Sequence, residues 1–285
     1  MKISLILATV GRSVDVGRFI QSLIAQIDRR FELIVVDQNA DDRLAPYIDE
    51  AVNAGIKLTH LRLDRPSSSG ARNLGLRHAD GEILAFPDDD CWYEPNVVET
   101  ILTKFAQDSS LDGIIAQWVE QAAANPASPK TGVLSRDAWR RFRDGDASAI
   151  SLFLKREPVA RLGGFDKTFG LDRWFGGGEE TDLLLRVLST GARLVRSPES
   201  RVHHHFAAAS TVNLKADCRQ ARNRARGTGG IYAKHGLDPW VIARGLTAPI
   251  VKPLFRGNLG SALKGAYVAL GRLEGYLAWK AGRNA

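Results

Sequence analysis

Cysteine is scarce in this chain, long apolar runs are missing, and its last quarter has few acidic residues. Cys91 and Cys218, the two cysteines among 285 residues, stand far apart without metal-ligand spacing. That excludes a disulfide framework or a cysteine-held metal cluster and points to a reducing compartment. No stretch reaches the roughly 18 uninterrupted apolar residues of a spanning helix, so a soluble or peripheral protein is expected. The opening Met1-Lys2-Ile3-Ser4-Leu5-Ile6-Leu7-Ala8-Thr9 has only a short apolar run and no small-residue cleavage site; it reads as a strand, not a signal peptide. From Lys215 onward there are 13 Lys and Arg against 3 Asp and Glu, whereas residues 1–214 hold 26 against 29. The net charge of +7 therefore belongs to the tail. This balance argues against a nucleic-acid-binding core and for a basic appendage that meets an anionic surface. At 44% hydrophobic, the chain has ample material for one large α/β domain, or a domain plus an appendage.

The first hundred residues alternate short apolar runs with longer amphipathic segments, as βα units around a mostly parallel sheet do. Strands are expected near Ile3–Ala8, Glu32–Asp37, Lys57–Leu63 and Glu82–Phe86, and helices near Val14–Ile27, Leu44–Ala54 and Ser69–His78. Pro95 opens a further helix to about Ala106, followed by a strand around Gly113–Val119. Glu120–Lys130, rich in Ala, Asn and Pro, reads as a loop. Segments around Ala149–Leu154 and Glu157–Leu162 lead into Gly163-Gly164-Phe165-Asp166. A Gly-rich loop through Gly178 then precedes a helix over Glu179–Ser189 and two short strands, Arg193–Arg196 and Arg201–His204. From Leu214 the pattern is helical, interrupted by Gly227-Thr228-Gly229-Gly230 and by Pro239, Pro249 and Pro253; Pro249 and Pro253 exclude a single unbroken helix there.

In open sheets of this kind ligands bind beyond the carboxyl ends of the strands, where Thr9, Asp37 and Asp88 all fall. The run Phe86-Pro87-Asp88-Asp89-Asp90-Cys91 sets three acids directly after an apolar strand. Such crowding makes most sense around a hard cation, with a solvated acidic loop as the plain alternative. The spacing lets Asp88 and Asp90 reach one Mg²⁺ or Mn²⁺, or one of them the ion and the other a sugar hydroxyl. Such sites combine few carboxylates with substrate phosphates, which implies a nucleoside diphosphate. Asp89 points either away from that site or toward a donor sugar. Asp37 is placed to accept hydrogen bonds from a base or ribose, or to cap a turn. In Ser67-Ser68-Ser69-Gly70-Ala71-Arg72-Asn73-Leu74-Gly75, the Arg72 fork either binds diphosphate or holds an acidic partner. A second acidic cluster, Glu179, Glu180 and Asp182, follows Gly176-Gly177-Gly178 at a helix N-terminus. Macrodipole capping would explain Glu179 or Asp182 alone; one of the three is also placed to act as general base toward an acceptor hydroxyl. His203, His204 and His205 cannot all face one way on a strand, so at most one or two enter a site.

With these residues assembled, the chain resembles a family 2 glycosyltransferase, a nucleotide-sugar-dependent enzyme of the GT-A fold. The resemblance runs from about Ile3 to His205. It rests on the first strand ending in Ala8-Thr9, on Ile34-Val35-Val36-Asp37, Gly70-Ala71-Arg72-Asn73 and Phe86-Pro87-Asp88-Asp89-Asp90, and on Gly163-Gly164-Phe165-Asp166 followed by Gly178-Glu179-Glu180-x-Asp182-Leu183. It implies a Rossmann-like, mostly parallel sheet flanked by helices over residues 1–213, with a basic amphipathic helical region over residues 214–285. It further implies that Thr9 and Asp37 contact the nucleoside, that Arg72 supports that pocket, that Asp90 binds the metal, and that Asp88 lies near ribose or metal. Asp89 falls with the donor-binding residues. Glu180 stands at the position of the catalytic base, where the family usually has Asp, with Glu179 and Asp182 as alternatives. His204 best matches the His that approaches metal or diphosphate, ahead of His203 and His205. The family's usual Asp-Asp-Gly-Ser type of segment is replaced here by Asp37-Gln38-Asn39-Ala40-Asp41-Asp42.

The implied chemistry is inverting, hexosyl-type transfer from a nucleotide-sugar to a glycan or polyprenyl-linked glycan hydroxyl, assisted by Mn²⁺ or Mg²⁺, as in polysaccharide biosynthesis. Trp118, Trp174 and Phe175 offer apolar faces for sugars or for packing. Leu246, Ile250 and Leu254, then Leu263, Tyr267 and Leu270, recur at helical spacing among basic residues. They fit either an anionic membrane surface or packing on the catalytic domain or a second subunit. The expected place is the cytoplasm, peripheral on the inner face of the cell membrane. Two rivals stand beside this reading. One is an Asp-based phosphohydrolase, against which Cys91 and Trp92 replace the small or hydroxyl residues expected after Asp90; the other is a non-catalytic nucleotide- or carbohydrate-binding module.

Overall fold

The computed structural model describes residues 1–120, 130–141, 148–204 and 213–282. Among these residues eight strands form one mixed sheet: β1 (Ile3–Thr9), β2 (Phe31–Asp37), β3 (Leu58–Arg62), β4 (Ile83–Ala85), β5 (Cys91–Tyr93), β6 (Gly113–Glu120), β7 (Leu152–Lys155) and β8 (Leu194–His204). Their order is β3-β2-β1-β4-β7-β6-β8-β5. The β3-β2-β1-β4 half is parallel, β7 runs antiparallel to both neighbours, and β5 is antiparallel to β8 at the far edge. Pairing of Thr9 with Asp37 fixes the carboxyl ends of β1 and β2 at one rim; β4 pairs with β1 only as far as Leu5–Ala85, and the chain beyond it reaches the rim where Asp89 meets Thr9.

Among the described residues before 214, seven α-helices surround the sheet: α1 (Val14–Ile24), α2 (Ala45–Asn53), α3 (Ser68–Leu76), α4 (Val97–Gln107), α5 (Arg136–Arg140), α6 (Arg156–Arg161) and α7 (Glu179–Ser189). Alternation along each strand divides the core in two. Ile3, Leu5, Leu7, Leu33 and Val35 face α1 and α4, whereas Ile6, Ile34 and Val36 face the side carrying Leu183, Leu184 and Val187 of α7. The central strands are buried on both faces, which is why they read as continuous apolar runs.

The chain ends in α8 (Leu214–Lys234), α9 (Pro239–Phe255) and α10 (Leu259–Lys280). Three expectations are corrected here. The glycines at 227–230 do not interrupt α8; they let backbones meet. A Cβ at Gly227 would collide with the Gly177 carbonyl, and one at Gly229 with that of Arg272. Pro249 and Pro253 lie inside α9 without breaking it. Pro249 cannot donate to the Gly245 carbonyl four residues back, and the Arg272 guanidinium donates to that carbonyl instead. The two strands expected around Arg193–Arg196 and Arg201–His204 are one strand, β8, with a register shift opposite Ala116/Gln117. Residues 121–129 of the expected loop lie outside the described residues.

Candidate active site

Beyond the rim formed by β1, β2 and β4 lies a cleft of about 740 Å³, lined among others by Arg12, Gln38, Arg72, Asp88, Asp89, Asp90, Gly176–Gly178, Glu179, Glu180, His204 and Arg224. The acid triplet sits in the turn between β4 and β5. Because Cys91 pairs with His204 across the β5–β8 ladder, His204 arrives beside Asp90, with its Nε2 2.9 Å from Asp90 Oδ1. The next residue back points the other way, as a strand requires: His203 stacks on Trp92 and bonds Glu94 Oε1 at 3.0 Å. His205 lies outside the described residues.

Each acid has its own partner. Asp88 Oδ1 accepts from Arg72 Nη2 at 2.9 Å. Asp89 accepts from Thr9 Oγ1 at 2.8 Å and from Arg12 at 2.9 Å, and Arg12 also ion-pairs with Asp90. Burial pushes the Asp89 carboxyl up, against the Thr9 hydrogen bond and the Arg12 charge, and the neighbouring Asp90 and Asp88 charges add to the rise. Burial would raise Asp90 as well, but hydrogen bonds from His204 and Arg12 outweigh it and hold that carboxyl below its ordinary value. Ligand atoms of Asp88, Asp90 and His204 all lie within 4.8 Å of one another. Two carboxylate oxygens and an imidazole nitrogen form a donor set suited to a divalent cation such as Mn²⁺ or Mg²⁺, so the residues present fit such an ion.

Arg72 joins the two acidic clusters. It is buried, lies over the Phe165 ring with 5.4 Å to the centroid, and reaches Glu179 Oε1 at 3.3 Å while holding Asp88. Of the two roles open to its fork, the geometry is that of holding acidic partners. Glu180 faces the cleft, and its Oε2 accepts from the Ala149 N–H at 2.9 Å. Burial pushes its carboxyl up to about 7; the Arg72 charge opposes this, and Asp88 and Glu179 add to it. Gly178, with φ 96°, turns the chain into α7 and so sets both glutamates at the helix start.

Asp182 and Asp37 lie elsewhere. Asp182 is fully buried beneath α7, held by Arg186 at 2.8 Å, Lys234 at 2.7 Å and His235 at 2.8 Å, and it does not line the cleft. Asp37 is covered, accepting from Asn39 and paired with His60 at 3.0 Å and Arg62 at 3.3 Å; its neighbour Gln38 lines the cleft instead. Arg12, Gln38 and Arg224 were missed in the sequence. The first two were findable, since they flank the carboxyl ends of β1 and β2; Arg224 enters from α8, far along the chain, with no motif around it.

Comparison with known proteins agrees with this architecture. Residues 4–145 match the model of glycosyl transferase family 2, and the chain belongs to that family. A glucosyl-dolichyl phosphate glucuronosyltransferase of Haloferax volcanii is 22% identical over 72% of this chain and 69% of its own. The glycosyltransferase GlyA of Streptococcus pneumoniae is 26% identical over 37% of this chain and 15% of its own. An uncharacterized glycosyltransferase of Nostoc is 29% identical over 40% and 36%. The chain thus spans well under half the length of these last two relatives. Among solved structures, S. aureus TarS 1-349 in complex with UDP-GlcNAc has a TM-score of 0.63 at 12% identity, over 99% of this chain and 92% of the other. Mannosyltransferase PcManGT from Pyrobaculum calidifontis, in complex with GDP-Man and Mn²⁺, reaches 0.67 at 16% identity, over 97% and 87%. At such identities these likenesses establish the GT-A fold.

Proposed function

We propose that the protein is an inverting glycosyltransferase that moves a sugar from a nucleoside-diphosphate donor to a hydroxyl of a glycan or polyprenyl-linked glycan acceptor. One observation carries the reading: a single cleft holds the Asp88, Asp90 and His204 donor set on one wall and Glu180 on another, with Arg72 bridging the walls through Asp88 and Glu179. Asp88, Asp90 and His204 would hold the cation, Mn²⁺ or Mg²⁺. When bound, such an ion offsets the charge of a departing diphosphate. Asp89 and Arg12 form the donor-side wall, Thr9 holds Asp89 from behind, and Arg12 is placed to turn from Asp89 and Asp90 toward a diphosphate.

Glu180 takes the acceptor proton as the hydroxyl attacks the anomeric carbon. A base with a carboxyl near neutrality suits that step better than an ordinary carboxylate, because it retains the proton it receives. Glu179 holds Arg72 in place, and Asp182 anchors the helix that presents both glutamates. The relative named for a dolichyl-phosphate substrate supports a lipid-linked acceptor, and the basic tail supports work at the inner face of a membrane. Nucleic acid is not among the proposed partners.

Calorimetric titration with UDP-, GDP-, dTDP- and CMP-sugars, with Mn²⁺ or Mg²⁺ and again with chelator, tests the donor site. Cation-dependent binding of one nucleotide, lost in Asp90→Ala, is expected; cation-independent binding would remove the assignment of Asp88 and Asp90. Glu180→Gln separates the enzyme from a binding module. It should keep donor binding and lose transfer, and a wild type with no turnover toward any hydroxyl acceptor would favour the module.

A further inference from the structure

The three C-terminal helices gather an apolar, acid-poor surface at one end. Arg222 and Arg226 of α8 meet Gly271 and Gly275 of α10, so these two helices run parallel, while Pro249 of α9 meets Gly265 in the opposite sense. That arrangement sets the α9–α10 turn level with the start of α8. Phe255 is 89% exposed and Leu259 75%, and Val251, Leu254, Leu263 and Leu214 are also exposed there. Exposed Lys215, Lys252, Arg256 and Lys264 lie among them. Between Pro239 and Leu273 there is no acidic residue, and Asp217 is the one acid within α8. Six exposed apolar side chains gathered by three consecutive helices depart from the singly scattered exposure of an ordinary soluble surface.

We infer that this end of the α8–α10 layer is a membrane-docking surface, with Phe255 and Leu259 entering an anionic bilayer and the surrounding lysines and arginine meeting its phosphates. Interfacial helices bind by this combination of buried apolar area and basic attraction. The interspersed positive charge favours an anionic lipid surface over a second copy of the chain, which would bring like charges together. Arg224, which lines the cleft, lies some ten residues along α8 from the turn, or about 15–20 Å along the helix axis. The cleft would thus stand close above the surface, within reach of an acceptor carried on a lipid phosphate. The inference deepens the proposed placement at a membrane and rests on it.

The test is cosedimentation of the full chain with phosphatidylcholine vesicles, with and without phosphatidylglycerol, alongside analytical ultracentrifugation of the free protein. Binding is expected only when phosphatidylglycerol is present, weakening as salt is raised. Phe255→Ser combined with Leu259→Ser should lower partitioning roughly tenfold or more, as should Lys252→Gln with Arg256→Gln and Lys264→Gln. Nucleotide-sugar binding and thermal unfolding should not change, because these residues touch neither the cleft nor the core. No vesicle binding, partitioning unmoved by both variants, or a wild-type dimer that the serine variant makes monomeric would overturn the inference. Donor binding read in the same samples reports separately on the proposed transferase function.

Discussion

Glu180 sits under two opposing demands that a single substitution separates. As a base it must be unprotonated when an acceptor arrives, so transfer should rise with pH through about 7 and fall about tenfold per unit below it. The same shift acts on folding. Between about 4.3 and 7 the folded protein keeps a proton that the unfolded chain has released, so stability falls as pH rises through that range. Glutamine keeps an oxygen to accept from the Ala149 N–H and never ionises. Glu180→Gln should therefore lose transfer by ~10²–10⁴-fold while gaining about 1–3 kcal/mol at pH 8 without added cation, the gain vanishing near pH 4. Thermal unfolding at the two pH values, set beside turnover, checks it; a variant no more stable at pH 8 and still active would remove Glu180 from the role. The site's acids were legible because charged runs after an apolar strand or a glycine loop stand out. Arg224 was not, because nothing local on α8 separates a cleft arginine from a solvated one.

At the scale of elements, α7 owes its position to charges that do not enter the cleft. Burial alone would raise Asp182, but the His235 hydrogen bond and the Arg186 and Lys234 charges win and hold it at about 2. Arg186 in turn donates to the Leu162 and Gly164 carbonyls, so this one carboxylate ties α7 to α8 and to the Gly163-Gly164 turn. Asp182→Asn should cost about 2–4 kcal/mol at pH 7, since it leaves Arg186 without its counter-charge, while Lys234 keeps Asp166. Because the folded carboxyl lies below its ordinary value, its contribution is full above about pH 4 and is lost as pH falls toward 2. Urea midpoints of the two proteins should differ at pH 7 and converge near pH 2. The first four strands and α1, α3, α4 and α7 were legible within a few residues, because each has a clear period and a capping or breaking signal. Edge strand β5 was not: three residues, Cys91–Tyr93, carry no period, and only their pairing with β8 makes them a strand. Nor could local propensity show that Gly227 and Pro249 sit within helices, since what sustains them is backbone contact and an arginine from elsewhere.

For the whole molecule, charge and sequence pattern both divide the chain near residue 214, yet the packing crosses that line repeatedly. Gly227 abuts the Gly177 backbone in the loop that presents Glu179 and Glu180. Trp279 of α10 stacks on Phe169 at 5.4 Å and meets Phe175 edge-on at 5.6 Å, and Ile231 and Ala278 belong to the same apolar cluster as Leu183 and Leu184. Lys234 and His235 complete the Asp182 network. A protein ending at residue 213 would expose Phe169 and Phe175 and leave Asp182 without Lys234 and His235, two of its three partners. Aromatic burial of ~150–250 Å² per ring, at about 25 cal/mol per Å², puts the loss from the two rings alone at roughly 5 kcal/mol or more. That is comparable with the whole net stability of a domain, about 5–15 kcal/mol. Residues 1–213 should therefore fail to unfold cooperatively and should bind no nucleotide-sugar, although they contain every acid of the cleft. Calorimetric unfolding and donor titration of that fragment decide the matter. A sharp transition with donor affinity intact would make the tail a separable appendage, whereas loss of both makes α8 a wall of the active site and confines independent function in the tail to the exposed α9–α10 end.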